Sequence, residues 1–203
     1  MPIKLILIRH GETPWNHQRR IQGGSSDTTL SQLGKKQAES LGIALKKEKL
    51  SAIYSSPLKR AIETAKTIAK YHDLEVQVET ELRELEVGEL EGVTVESLGT
   101  DFSQFLIQWR EGQGTEKLPG GESLADLHNR AWAIAQHIVA EHEGTVVVVG
   151  HYFVILTIIC AALGLPPSGI RQFRVTVGSI SMLDFKDGNH PCLASLGDTC
   201  HLK

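Results

Sequence analysis

The chain has 203 residues, 41% of them hydrophobic and 22% charged, with a formal net charge of −3. That balance suits a globular protein with one sizeable core. It excludes recognition of nucleic acid or of a membrane surface through bulk positive charge. The cysteines Cys160, Cys192 and Cys200 are odd in number and lack metal-ligand spacing, which points to a reducing compartment. The N-terminus shows no basic leader or cleavage site, and the longest apolar stretch, 153–165, is too short to span a bilayer. A cytoplasmic location is therefore expected.

Ile3-Lys4-Leu5-Ile6-Leu7-Ile8 has the length and composition of a buried strand, and it breaks abruptly at Arg9-His10-Gly11-Glu12-Thr13. Residues 14–24 are polar and end in glycine, and they read as a loop or short helix over the strand ends. Ser31 predicts a helix N-cap, with Ala38, Leu41 and Leu45 at helical spacing. A second strand follows at Ala52-Ile53-Tyr54-Ser55. Ser56-Pro57 predicts the next helix start, serine as N-cap and proline at the first helical position. Ala61, Ala65 and Ile68 give that helix its apolar stripe. Arg60 falls in its first turn, where the helix dipole favours anions, so a bound anion beside it is expected. A third strand is predicted at Glu75-Val76-Gln77-Val78.

Residues 94–112 read as helical, with Phe102, Phe105, Leu106 and Trp109 on one face. That stripe is read first as core packing and second as an apolar wall for a ligand. Residues 85–121 are expected to form a lid-like insertion over the sheet, too short to bury a core of their own. Ser123 to Asp126 resembles a capping box opening a long helix through Leu124, Leu127, Ala131, Ile134 and Ile138, ended by Gly144. Val146-Val147-Val148-Val149-Gly150-His151 repeats the first motif: a buried strand that releases a histidine. An apolar helix over about 154–163 stops at Pro166-Pro167. Phe173–Val177 and Ser179–Phe185 read as strands, with a last one near Leu193–Leu196. The alternation predicts an α/β fold, a three-layer αβα sandwich with a mostly parallel central sheet and helices on both faces. The whole chain, 1–203, is expected to be one domain.

In open α/β sheets ligands bind at the C-terminal strand ends. Three such ends offer Arg9 with His10, Arg60, and His151, a cationic pocket holding two imidazoles. Its natural ligand is a compact oxyanion, and phosphate fits best, because guanidinium donates in a planar fork to phosphate oxygens. There is no Walker A motif, no kinase glycine loop and no carboxylate cluster suited to Mg²⁺. Catalysis without metal needs a neutral nucleophile, and histidine supplies one near neutral pH. A leaving alkoxide needs a proton, for which Glu84 and Glu12 are the candidates. The remaining histidines form no cluster and receive no metal role.

Arg9-His10-Gly11-Glu12-Thr13-Pro14-Trp15-Asn16, with Gln22-Gly23, closely resembles the signature of the histidine phosphatase superfamily in its phosphoglycerate mutase-like branch. The resemblance continues through Leu30-Ser31-Gln32-Leu33-Gly34, Ser55 to Ala61, Leu82-Arg83-Glu84, Gly88 to Gly92, Gly120-Gly121-Glu122-Ser123 and Val149-Gly150-His151. It implies a phosphoglycerate mutase-like fold and a phosphohistidine on His10. Arg9, Arg60 and His151 would hold the phosphoryl oxygens. Glu84 would protonate the leaving oxygen and then activate water. Asn16, Gln22 and Gly23 would line the phosphate side of the pocket. No metal or cofactor is implied.

Two positions depart from the family pattern. Tyr152 and Phe153 stand where a small residue often follows the second histidine, so Tyr152 is a candidate for contact with the leaving group. Gly150 replaces the usual serine. The compact length favours a phosphatase acting on a small-molecule phosphomonoester, such as phosphoserine or α-ribazole phosphate, or a range of esters. A phosphomutase on the same site and a non-catalytic phospho-ligand or protein-binding member are the alternatives. A homodimer joined along an edge made by the valine-rich strand and the final strands is left open.

Overall fold

The computed structural model describes residues 2–100, 107, 109, 114–186 and 191–203. Six strands form one sheet: β1 (Ile3–Arg9), β2 (Leu50–Ser55), β3 (Val76–Val78), β4 (Gly144–Gly150), β5 (Ile180–Phe185) and β6 (Pro191–Asp198). Their order across the sheet is β3-β2-β4-β1-β5-β6. The first four run parallel, while β5 is antiparallel to β1 and β6 is antiparallel to β5.

The side chains of the central strands alternate between two apolar layers, as the period of a strand requires. Ile3, Leu5, Leu7, Val146 and Val148 face one core, while Ile6, Ile8, Val147 and Val149 face the other. Helices α2 (Gln32–Leu45) and α3 (Lys59–Ala69) cover the second face through Leu41, Leu45, Ala61, Ala65 and Ile68. Helices α4 (Leu124–Glu141) and α5 (Tyr152–Ala162) cover the first through Leu127, Ala131, Ile138, Ile155 and Ile159. The expected αβα sandwich with helices on both faces is therefore present. Among the described residues no helix is long and apolar enough to cross a membrane.

Local start signals behave as predicted at two helices. The Ser31 hydroxyl accepts the Gly34 N–H at 3.0 Å, and Ser123 and Asp126 form a reciprocal capping box. A short helix, α1 (Pro14–His17), is capped in the same way by Thr13 and Asn16.

The structure corrects several expectations. Helix α3 starts after Leu58, not at Ser56-Pro57; Leu58 makes no side-chain cap, and the Asp27 carboxylate accepts the Lys59 N–H at 2.7 Å instead. Phe173–Val177 is not a strand; it follows a 3₁₀ segment, Pro167–Gln172, and lies against β1 through the Val175 carbonyl. The valine-rich β4 is central, so it cannot serve as a dimer edge; among the described residues the edge strands are β3 and β6. Helix α4 ends at Glu141, and Gly144 instead opens β4 with φ +82°, a left-handed conformation that suits glycine. In the segment predicted helical over 94–112, Val95–Ser97 is a single 3₁₀ turn, whereas residues 107 and 109 are helical. Phe102, Phe105 and Leu106 lie outside the described residues, and Trp109 is buried in the core.

The loop that follows β1 is pressed onto the start of α2. A Cβ on Gly34 would sit 2.0 Å from the Glu12 carbonyl oxygen, and one on Gly11 would sit 2.5 Å from the Gly34 oxygen. Two glycines thus let the backbone of 11–12 lie directly on the helix. Gly34→Ala is expected to destabilise the protein by about 1–3 kcal/mol through this overlap. Thermal denataturation should show a Tm several degrees lower, with activity falling in parallel; an unchanged Tm would mean that the contact is free to open.

Candidate active site

The register of the sheet assembles the site. Arg9 pairs with Gly150 across β1 and β4, and Ser55 pairs with Val149 across β2 and β4. His10, His151 and Ser56 are therefore the next positions beyond three adjacent parallel strand ends. The two imidazole rings lie with centroids 5.1 Å apart, and both residues are buried.

The Nδ1 of His10 lies 2.7 Å from the Gly11 carbonyl. A carbonyl only accepts, so Nδ1 carries the proton and the neutral ring keeps its lone pair on Nε2. Burial, then Arg60 and Arg9, hold the His10 pKa well below 6.5. The Gly11 N–H is fixed in turn by donation to the Thr64 hydroxyl at 3.1 Å.

Arg60 is fully buried at the start of α3. It donates to the Ser26 carbonyl at 2.6 Å, to the Gly23 carbonyl at 3.0 Å and, through Nε, to His151 Nδ1 at 3.3 Å. Guanidinium carries five N–H groups, so two remain for a ligand. Burial lowers its pKa to about 10, which leaves it charged at neutral pH. Accepting that bond makes Nδ1 of His151 the unprotonated nitrogen in the neutral ring, and Nε2–H then donates to the Ser56 hydroxyl at 2.7 Å. Burial and the same arginine hold the His151 pKa well below 6.5.

Arg9 donates through Nη1 to the Val175 carbonyl at 2.9 Å. Its Nε is buried and has no partner among the described residues. Such a donor is costly, and an anionic ligand would satisfy it. The Tyr152 ring lies against this guanidinium, 5.1 Å from centroid to Cζ, and meets Phe153 edge-on.

Glu84 is buried in a non-repetitive segment. Its carboxylate accepts the Leu85 N–H at 2.9 Å and the Phe153 N–H at 3.2 Å. The second bond fills an orphan donor in the first turn of α5, whose N-cap residue His151 makes no side-chain cap. Burial raises the Glu84 pKa above its ordinary 4.5, against the pull of those two N–H groups, Arg60 and Arg9. Glu12, the other candidate acid, is tied to α2: its carboxylate accepts the Ser31 hydroxyl at 2.7 Å.

The remaining predicted residues support this centre. Asn16 Oδ1 accepts the Thr13 N–H at 3.0 Å, and the Thr13 hydroxyl, with its one proton, lies 3.1 Å from Asn16 Oδ1 and 3.0 Å from Gln22 Oε1. In both side chains the oxygen faces Thr13, and Gln22 Nε2 donates to Thr28. Gly23 lies behind Arg60: its carbonyl holds the guanidinium, and its N–H donates to Glu91 at 2.9 Å. Sequence reasoning did not find Ser56, Ser26 or Thr64. Ser56 was legible in principle as one more residue past a parallel strand end, but its serine-proline pair read as a helix cap.

The buried Arg60, the partly buried Arg9, two neutral imidazoles and one carboxyl with a raised pKa form a site suited to an oxyanion. A family model described as histidine phosphatase superfamily (branch 1) matches residues 5–199. The chain is 38% identical over 201 residues to phosphoserine phosphatase 1 of Hydrogenobacter thermophilus, covering 98% of this chain and 94% of the relative. Its fold is similar to that of mycobacterial glucosyl-3-phosphoglycerate phosphatase, with a TM-score of 0.89, 29% identity, and 98% and 100% of the two chains covered. It is also similar to phosphoserine phosphatase from Entamoeba histolytica, solved in complex with 3-phosphoglyceric acid. There the TM-score is 0.84, the identity 32%, and the coverage 99% and 100%.

Both imidazoles stay neutral in the fold at a pH where the unfolded chain would protonate them, so unfolding takes up protons below 6.5. Their contribution to stability is full above about pH 6.5 and is lost as the pH falls. The raised Glu84 works in the opposite direction, one group against two. The Tm is expected to fall on acidification from neutral pH to about 5. The double variant His10→Gln, His151→Gln should flatten that dependence; a pH-independent Tm in the unaltered protein would count against neutral burial of the pair.

Proposed function

The chain belongs to the histidine phosphatase superfamily (branch 1), a phosphoric monoester hydrolase by class, and on that premise we propose that it hydrolyses small organic phosphomonoesters through a phosphohistidine on His10. The observation that supports this most is the state of His10. It is buried and neutral, its Nδ1 proton is held by the Gly11 carbonyl, and its Nε2 lone pair is free beside two arginines.

In the first step His10 Nε2 attacks phosphorus and the ester P–O bond breaks. The leaving oxygen takes the proton of Glu84, whose raised pKa keeps a protonated fraction above the ordinary carboxyl range. Arg9 and Arg60 stabilise the charge on the transferring oxygens, and His151 joins them by turning its one N–H, on Nε2, from the Ser56 hydroxyl to a phosphoryl oxygen. In the second step the Glu84 carboxylate takes a proton from water, the water oxygen attacks phosphorus, and the P–N bond breaks. This returns His10 and releases phosphate. No step requires a metal. The first substrates to test are phosphoserine and phosphoglycerate-type esters, after the names of the relatives above. The three free cysteines suit a cytoplasmic enzyme.

Phosphate release from a panel of monoesters is expected to survive EDTA and to vanish in His10→Ala. Rapid acid quench should show an acid-labile phosphoryl group on the unaltered protein only. Glu84→Gln should lower hydrolysis of alkyl esters by about 10²–10⁴-fold. Undiminished release by His10→Ala would falsify the phosphohistidine route, and product isomers in place of free phosphate would indicate a mutase.

A further inference from the structure

Glu84 lies in a stretch, 83–87, that makes no helix or strand of its own, so its backbone must be held from outside. Arg130, on α4, does this with every N–H it has. Nη1 donates to the Glu81 carbonyl and to the Arg83 carbonyl, both at 2.7 Å. Nη2 donates to the Glu84 carbonyl at 3.2 Å and to Glu122 Oε2 at 2.9 Å, and Nε donates to Glu122 Oε1 at 2.7 Å. Glu122 then grips the far side of the same stretch. Its carboxylate accepts the Glu86 N–H at 3.3 Å, and its own N–H donates to the Glu86 carbonyl at 2.8 Å. The arginine and the glutamate thus bracket residue 84 from both sides, on the well-formed helix α4 and its capped approach.

We propose that Arg130, locked by Glu122, is a positioning residue that fixes Glu84 for proton transfer. The inference rests on Glu84 being the acid of the phosphatase reading. Neither side chain touches the reacting atoms. A lone ion pair on a helix end would need one carboxylate and one nitrogen. Here a bidentate pair leaves three donors, and all three go to carbonyls within four residues of chain that end at the acid. The pair is also largely shielded, with side-chain exposures of 18% and 14%. An acid displaced by about 1 Å loses on the order of 10²-fold in rate, so such a clamp has a catalytic consequence and not only a structural one.

That consequence is readable in the leaving group. An alkyl ester needs its oxygen protonated as the P–O bond breaks, whereas p-nitrophenolate departs without a proton. The test compares the unaltered protein with Arg130→Met, Arg130→Lys, Glu122→Gln and the reference Glu84→Gln. The measurements are phosphoserine turnover and the pre-steady-state burst of p-nitrophenolate from p-nitrophenyl phosphate. Arg130→Met is expected to lower kcat on phosphoserine by about 10–100-fold with KM little changed. The p-nitrophenolate burst rate should change by less than about 3-fold, the same split as in Glu84→Gln. Arg130→Lys should fall between, since one ammonium cannot span three carbonyls and a carboxylate. Glu122→Gln keeps the backbone bonds and should show the split in weaker form, which preserves the test if Arg130→Met does not fold. Equal losses on both esters, or no loss on either, would overturn the proposal. Absence of an acid-labile phosphoryl group from the unaltered protein would instead strike the phosphohistidine reading itself.

Discussion

The parallel pairing of β1 with β4 is the interaction on which the site depends. Side chains alternate along a strand, so a slip of one residue would turn one of the two histidines to the opposite face. Arg9 opposite Gly150 is the register that sets His10 beside His151, and the buried Ile and Val residues on both faces hold it there. Sheet burial is thus what aims the imidazoles. The His10 N–H donates to the Gly150 carbonyl at 3.1 Å, extending the ladder one step past the strand and into the site.

The second constraint is electrostatic. Burying a guanidinium is costly unless its donors are satisfied. The bonds seen for Arg60 and Arg9 run to backbone carbonyls and an imidazole rather than to carboxylates. Neutral acceptors offset desolvation without cancelling the charge, so the positive potential stays available to an oxyanion. Burial first, and then the same potential, keeps the two histidines neutral. Glu84 balances the cluster from a position where burial raises its pKa while N–H groups and arginines lower it. A neutral imidazole with a lone pair and a carboxyl whose pKa is raised follow from one arrangement of burial and charge.

The supporting shell is made of backbone as much as of side chains. Gly23 holds Arg60 and has no room for a Cβ, which would lie 2.5 Å from Val87. Gly11 and Gly34 let the loop after β1 rest on α2, and Arg130 with Glu122 brackets Glu84. These contacts join stretches that are far apart in the chain: residues 23–26 to 60, 11 to 64, and 81–86 to 122–130.

The sequence by itself determined the strands that end in His10 and His151, the capped starts of α2 and α4, the cationic pair Arg9 and Arg60, and the αβα layering. Each is written in local pattern: apolar runs of strand length, serine caps, helical spacing, or an ordered family motif. Only the tertiary structure decided what each polar group is bonded to. Ser56 reads locally as a cap and is drawn instead to His151, because a buried imidazole N–H needs an acceptor, while the Asp27 carboxylate serves the first N–H of α3. Phe173–Val177 has strand composition, yet it finds no free ladder beside β1, whose two edges are already taken by β4 and β5. Tyr152 reads as a substrate contact and lies against Arg9. Glu12 and Glu84 likewise differ in partners distant in sequence, Ser31 for one and the first turn of α5 for the other. Propensity and periodicity act over a few residues, whereas satisfaction of buried donors and acceptors is settled across the whole fold.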